Sequence, residues 1–389
     1  MPLKVVYLID YMYAPGGMER MLVNKANAFV EHGLEVSIIT CTPKDKPIFF
    51  ALDSKVRVYD TGVDYDILKT MSGLRKAFNY KRLNNIHKKK VSEFLFQIKA
   101  DVAISMHKGE RRFLTSIKDG SKKMLEIHYD KGAATLGHNK FRWSNLLRID
   151  YLVKSLFLGK SFAEVAELEM ISRYDKFVVL TSEDMRQWGN LKNIDVIPNF
   201  LTVDTYNSDC RAKKIIAVGR LNVVKGYDML IDMWEKVDRG GWTIDIYGDG
   251  ELRQELQDKI DKKGLSESIT LYHATEEIMK RYSESSIFLL TSRSEGFPMV
   301  LLEAMASGLP SVAFACKCGP RDMILDGGSG FIIDKVGDID SMACRVEQLM
   351  KDDALRCRMG IAAKEQSLKF SKDIVVKKCI KLINNLKDE

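Results

Sequence analysis

Lys214-Ile215-Ile216-Ala217-Val218-Gly219-Arg220-Leu221-Asn222-Val223-Val224-Lys225-Gly226 opens the second half of the chain. An apolar run of strand length ends in a glycine and an arginine, and a lysine and a second glycine precede a helical pattern. Such a strand, turn and helix is one unit of a parallel sheet covered on both faces. The same rhythm continues outward. Downstream, strands are predicted at Thr243–Tyr247, Ile269–Tyr272, Ile287–Leu290, Ser311–Ala313 and Gly330–Ile333, followed by helices over 338–350, 353–367 and 371–387. Upstream, the polar stretch 198–211 reads as a linker. Before it, strands are predicted at Lys4–Ile9, Glu35–Thr40, Val56–Tyr59, Asp101–Ser105, Lys122–Ile127, Lys176–Leu180 and Ile194–Ile197. Two α/β, doubly wound domains are the economical reading of 389 residues.

Composition agrees: 46% hydrophobic and 29% charged residues exclude a disordered or fibrous chain. No apolar run is long enough to span a bilayer, and Val5–Ile9 reads as a strand and not as a leader. Seven scattered cysteines, odd in number, predict free thiols in a cytoplasmic protein. Cys316 and Cys318 have neither a second pair nor a nearby His, which argues against a zinc site. The net charge of +7 divides unevenly, +9 over residues 1–200 and −2 over the rest. Nine cations, among them Lys88, Lys89 and Lys90, face the single acid Glu93 within 69–99. That stretch predicts contact with an anionic surface. Leu74, Ala77 and Phe78, with Phe94 and Leu95 further on, read as the apolar stripe of an interfacial helix or of a helix packed on its own domain.

Ligands of doubly wound sheets lie beyond the carboxyl ends of the strands. After the first strand come Gly16 and Gly17, opening a helix where free N–H groups favour an anion, or merely a tight turn. Arg220 and Lys225 flank the second-half turn. They are either a diphosphate clamp or solvated surface cations. Gly248-Asp249-Gly250 ends the next strand. Glu303 is the only charge between Gly296 and Lys317. In so apolar a helix it requires a partner, either ribose hydroxyls or a nearby Arg. Glu295, with the loop Gly296-Phe297-Pro298-Met299, offers a carboxylate and N–H groups to another polyhydroxylated group. His128, at the end of a strand, is placed to bind a sugar hydroxyl or to be structural.

Together, Gly16-Gly17-x-Glu19-Arg20, Gly219-Arg220-x4-Lys225-Gly226, Gly248-x-Gly250 and Glu295-x7-Glu303 resemble the retaining glycosyltransferases of family 4. The resemblance covers nearly the whole chain. The run Cys316-Lys317-Cys318-Gly319-Pro320-Arg321-Asp322 is similar to the branch of amylovoran-type and N-acetylgalactosamine-transferring enzymes of bacterial surface polysaccharides. The resemblance implies the GT-B fold, two Rossmann-like domains facing across a cleft. Residues 1–200 would bind the acceptor and 201–370 the nucleotide sugar, with helix 371–389 packing back on the N-terminal domain. Arg220 and Lys225 would hold the donor diphosphate, approached by Gly16, Gly17, Gly219 and Gly248. Glu303 would bind the ribose, Glu295 and the N–H groups of Gly296–Met299 the sugar, and backbone near Tyr272 and His273 the base. His128 would stand beside the sugar as a catalytic residue with Arg220, Lys225 and Glu295, its usual acidic neighbour displaced to Asp130. No metal and no cofactor are expected. A uridine diphosphate sugar is the expected donor, a lipid-linked glycan the expected acceptor, and the inner membrane face the expected place of work.

Three rivals remain at this stage. A metal-dependent GT-A transferase would use Asp64-Tyr65-Asp66 or Asp338-Ile339-Asp340, though neither closes an apolar strand. A nucleic-acid-binding protein would use 69–99, which carries no recognised motif, so no nucleic acid is expected. A nucleotide-sugar epimerase would share the architecture.

Overall fold

The computed structural model describes residues 2–14, 16–41, 46–106, 109–129, 131 and 161–389. They form two compact units: Met1–Val179, Met185–Ile197 and Val376–Glu389 in the first, Leu180–Asp184 and Pro198–Val375 in the second.

The first unit is built on seven strands, β1 (Lys4–Ile9), β2 (Glu35–Thr40), β3 (Arg57–Asp60), β4 (Val102–Ser105), β5 (Lys122–Glu126), β6 (Lys176–Val179) and β7 (Ile194–Val196). They pair in the order β3-β2-β1-β4-β5-β6-β7, every pair parallel. The second unit has six, β8 (Lys214–Val218), β9 (Thr243–Tyr247), β10 (Ile269–Tyr272), β11 (Ile287–Leu290), β12 (Ser311–Phe314) and β13 (Gly330–Ile333), in the order β10-β9-β8-β11-β12-β13. Both sheets wind outward in two directions from an inner pair, β1/β4 and β8/β11, the Rossmann arrangement with its switch point between those strands. Strand Val56–Tyr59 of the sequence reading lies one residue further on, and the strands expected to end at Ile127, Leu180 and Ile197 each stop one residue earlier.

Strand residues alternate between the two faces. In β8, Ile215 and Ala217 join one core with Trp234, Ile244 and Met342, whereas Ile216 joins the other with Phe288, Leu302 and Met305. Both faces are covered, so the strands read as continuous apolar runs and not as alternating ones.

Two expectations need correction. The helix α2 (Gly73–Ile98) does not carry one apolar stripe. Val91 and Leu95 are buried together with His87, and Phe94 packs on the same core, whereas Leu74 is 90% exposed and Phe78 71% exposed. Phe78 and His87 are nine residues apart, which at about 3.6 residues per turn puts them on opposite sides of the helix. Nor are all thiols free. Cys210 and Cys357 form a disulfide across 147 positions, with Cα atoms 5.3 Å apart. The sequence distance hid the pair. Arg356 reinforces it, donating from Nε to the Cys210 carbonyl at 2.7 Å while its guanidinium lies over Trp242.

Because the bond closes so long a loop, Cys357→Ser should cost about 2–4 kcal/mol under oxidising conditions. The check is a denaturation midpoint that falls in the variant and falls equally when the wild type is reduced. Midpoints that ignore both treatments would show that the bond adds nothing.

Candidate active site

In the second unit, β8 ends at Val218 and the chain turns through Gly219 and the exposed Arg220 into a short 3-10 turn, Val223–Lys225. Several bonds fix the backbone of this turn. The Asn222 side chain accepts from Lys225 N–H at 3.2 Å, and Thr291 Oγ1 donates to the Lys225 carbonyl at 3.0 Å. Arg293 donates to the Val223 carbonyl at 2.6 Å and grips both oxygens of Asp228 at 2.8 and 2.6 Å. Those hydrogen bonds from Arg293 hold the Asp228 carboxyl below its ordinary range. The side chain of Lys225 then reaches Glu295, Nζ to Oε1 at 2.6 Å, and Ser292 Oγ donates to the same oxygen at 2.6 Å. The lysine and the first glutamate of the Glu-x7-Glu pattern, 70 residues apart, therefore form one half-buried ion pair at the switch point.

The glycines beside it are spacers. A Cβ on Gly248 would lie 2.0 Å from the Gly219 carbonyl oxygen, and one on Gly250 would lie 2.2 Å from that of Leu221. Only glycine lets the turns after β8 and β9 come this close. Between them, Asp249 accepts from Ala274 N–H at 3.0 Å and pairs with His273 Nδ1 at 2.5 Å. These two bonds, Ala274 first, lower its carboxyl. Tyr272 stacks on Tyr247 with ring centroids 4.7 Å apart. Its carbonyl already accepts from Gly248 N–H at 3.1 Å and from Arg253 at 2.8 Å.

Glu303 is buried on helix Met299–Ala306 as its apolar neighbours require. It is met by Tyr282 Oη, which donates to Oε2 at 3.3 Å. Burial, with Glu303 alongside, holds the Tyr282 hydroxyl far above its ordinary range. Phe297 turns into the core against Phe370, ring centroids 5.6 Å apart, and Pro298 caps the helix, so this segment offers backbone and not side chains. Gly296 and Met299 are partly exposed.

In the first unit, Gly16 caps α1 (Gly17–Glu31). A Cβ there would lie 1.9 Å from the Glu19 carboxylate, which folds back over the helix start; Gly17 faces open space. His128 follows β5 by two residues. Its side chain is only 6% exposed and bonds to Glu126, Nε2 to Oε1 at 2.7 Å. Asp130 lies outside the described residues. Sequence reasoning missed Glu126, although residues two apart in extended chain share a side. It also missed Lys25, Ser292, Asp228 and Arg293, which no motif marks. The Asp-x-Asp motifs serve locally: Asp66 pairs with Lys69 at 2.9 Å, and Asp338 caps a helix by accepting from Ser341 N–H at 3.0 Å. Among the described residues, one set of metal-ligand side chains gathers, Cys41, His87 and Glu110, buried in the first unit and bonded through His87 to one another.

Residues 204–366 match the family described as Glycosyl transferases group 1. The chain is 35% identical over 221 residues to the amylovoran biosynthesis glycosyltransferase AmsD of Erwinia amylovora, a match covering 54% of this chain and 62% of that protein. It is 24% identical over 399 residues, 99% of each chain, to a Campylobacter jejuni transferase named as adding N-acetyl-D-galactosamine to a GalNAc-containing PP-undecaprenol glycan. The solved structure of Staphylococcus aureus TarM, in complex with UDP among other ligands, superposes with a TM-score of 0.74 at 18% identity, covering 98% of this chain and all of that one. The fold is GT-B and the protein is a glycosyltransferase. Its second unit carries the group 1 domain, in keeping with the family 4 pattern of its motifs.

Arg293→Gln should loosen the turn that presents Lys225 and weaken donor binding about tenfold, roughly 1–2 kcal/mol, with the fold retained. Calorimetric titration with nucleotide sugar, beside a circular dichroism melt, checks this. Unchanged affinity would make the Arg293–Asp228 clamp irrelevant to the site.

Proposed function

We propose that this glycosyltransferase moves a sugar from a uridine diphosphate donor to a lipid-linked surface glycan, with retention of configuration and without a metal. The observation that carries the reading is the Lys225–Glu295 pair at the β8/β11 switch point, with Arg220 exposed beside it. Arg220 and Lys225 supply two positive charges to a departing diphosphate, the role a metal would otherwise fill. Glu295, released from Lys225, takes sugar hydroxyls, and Glu303 takes the ribose. His128 hydrogen-bonds the sugar. The leaving phosphate removes the acceptor proton on the face it departs from, so catalysis rests on positioning and charge stabilisation without a protein nucleophile. A surface glycan on a lipid carrier is supported by the names of the amylovoran and undecaprenol-glycan relatives. The UDP donor is supported by the nucleotide in the TarM structure.

Arg220→Ala should lose about 2–4 kcal/mol of transition-state stabilisation in kcat/KM. The assay is sugar transfer in the presence of chelator, with the donor chosen by a thermal-shift panel of nucleotide sugars. Near wild-type turnover of the variant, or activity that vanishes with chelator, would overturn the diphosphate assignment.

A membrane-facing role for α2 rests on its exposed Leu74, Ala77 and Phe78, set among Arg75, Lys76, Lys81 and Arg82. Among the described residues, no helix is long and apolar enough to cross a membrane, so attachment would be interfacial. Each cation near an anionic leaflet contributes about 1 kcal/mol. Sedimentation with liposomes should require anionic lipid, weaken with salt, and drop for Leu74→Ser/Phe78→Ser. Equal sedimentation with neutral lipid, or none at all, would make the face ordinary surface.

A further inference from the structure

Lys25 sits on α1 one turn from the buried Met21, Leu22, Ala28 and Phe29, its side chain 0% exposed, and its ammonium meets the Oε1 atom of Glu126. His128 Nε2 bonds to that same oxygen at 2.7 Å. Tyr7 and Cys379 lie close enough to feel these charges, and burial keeps both protonated, pushing the Cys379 thiol up to about 11. Burying a lysine and a glutamate costs several kcal/mol per ion before their attraction is counted, and two apolar side chains would fill the space more cheaply. A fold has no need of this pair for stability. Burial alone would push the Glu126 carboxyl up, yet Lys25, then His128, outweigh it and bring it down to about 2. At any working pH the carboxylate is therefore ionised and can only accept hydrogen bonds. The nitrogen facing it must carry a proton.

We propose that Lys25 and Glu126 are positioning residues for His128, fixing its ring in the Nε2–H form so that Nδ1 is the atom offered to the sugar. Among the described residues Nδ1 has no hydrogen-bond partner of its own. The inference deepens the reading of His128 given above and rests on it for the catalytic half. Its structural half, the tautomer, stands independently. The logic is that of a carboxylate orienting an imidazole, with a buried ammonium keeping the carboxylate charged.

Two measurements test it on the full chain. In ¹⁵N-histidine-labelled protein, with the His128 signals assigned by their loss in His128→Ala, the ring should be Nε2–H in the wild type. In Glu126→Leu it should become a mixture of tautomers. The apolar pair Lys25→Met/Glu126→Leu controls for folding, since it leaves no uncompensated charge, and it should show the same mixture. In turnover, Glu126→Leu should lower kcat about tenfold or more with donor KM little changed, and should add nothing on a His128→Ala background. An Nδ1–H wild-type ring overturns the proposal, as does a Glu126→Leu effect that persists in full without His128. If His128→Ala keeps full turnover, the part given to His128 in transfer fails too, and an Nε2–H ring beside that result would show which of the two readings was at fault.

Discussion

β8 and β11 are hydrogen-bonded neighbours, Ile215 beside Ile287, yet their chains leave the sheet on opposite faces. The helix after β8 packs Leu230 and Trp234 into one core, and the helix after β11 packs Leu301, Leu302 and Met305 into the other. Loops that diverge in this way leave a gap at the carboxyl ends of the strands that neither helix can close. Gly219–Lys225 lines it on one side and Thr291–Glu295 on the other. The glycines at 219, 248 and 250 keep the turns low enough for backbone to form its floor. Arg220, Lys225 and Glu295, the candidate diphosphate and sugar contacts, follow from that parting of two adjacent strands.

The gap is polar, and its charges answer one another. Lys225 and Glu295 each retain some solvent contact, and with Ser292 they form a compact set that needs nothing else to be stable. Removing either partner would strand the other, which costs more than the pair contributes. A diphosphate sugar, however, supplies both an anion for the lysine and hydroxyls for the glutamate. It can exchange one protein bond for several ligand bonds without leaving a buried charge unmet. On the proposed reading, the pair holds both side chains near where the donor would need them, and part of the binding energy would go into parting them.

Much of this was legible because doubly wound sheets write themselves plainly: strands are short apolar runs, and the residues after them are polar or glycine. Seven strands, Lys4–Ile9 and Lys214–Val218 among them, have the predicted bounds. The demand that Glu303 have a partner was also legible, since an apolar helix cannot hide a carboxylate. The identity of that partner was not, because Tyr282 lies on another element and tyrosine is as common in cores as in sites. The Lys225–Glu295 bond escaped for a similar reason. Each residue had been matched to a ligand, and neither to the other. Pairings over long sequence distance, as in Cys210–Cys357, depend on tertiary packing that no local pattern encodes.

The helix α2 shows how a correct composition can conceal a wrong geometry. Its cations and apolar residues do coexist, as an interfacial helix requires, but the apolar residues belong to two faces with different work. His87, Val91 and Leu95 recur every four positions and anchor the helix to the sheet, with His87 reaching Glu110 at 2.9 Å beneath it. Leu74 and Phe78 also sit four apart, but outside that row, Phe78 half a turn from His87. A helix fastened along one side cannot turn its other side inward, so Phe78 stays in water with Arg75, Lys76, Lys81 and Arg82 around it. Apolar side chains held out by a rigid anchor, and ringed by cations lacking acidic partners among the described residues, carry a standing cost in water. A surface that takes up the aromatic ring and the positive charges together would relieve it, and an anionic leaflet meets both conditions.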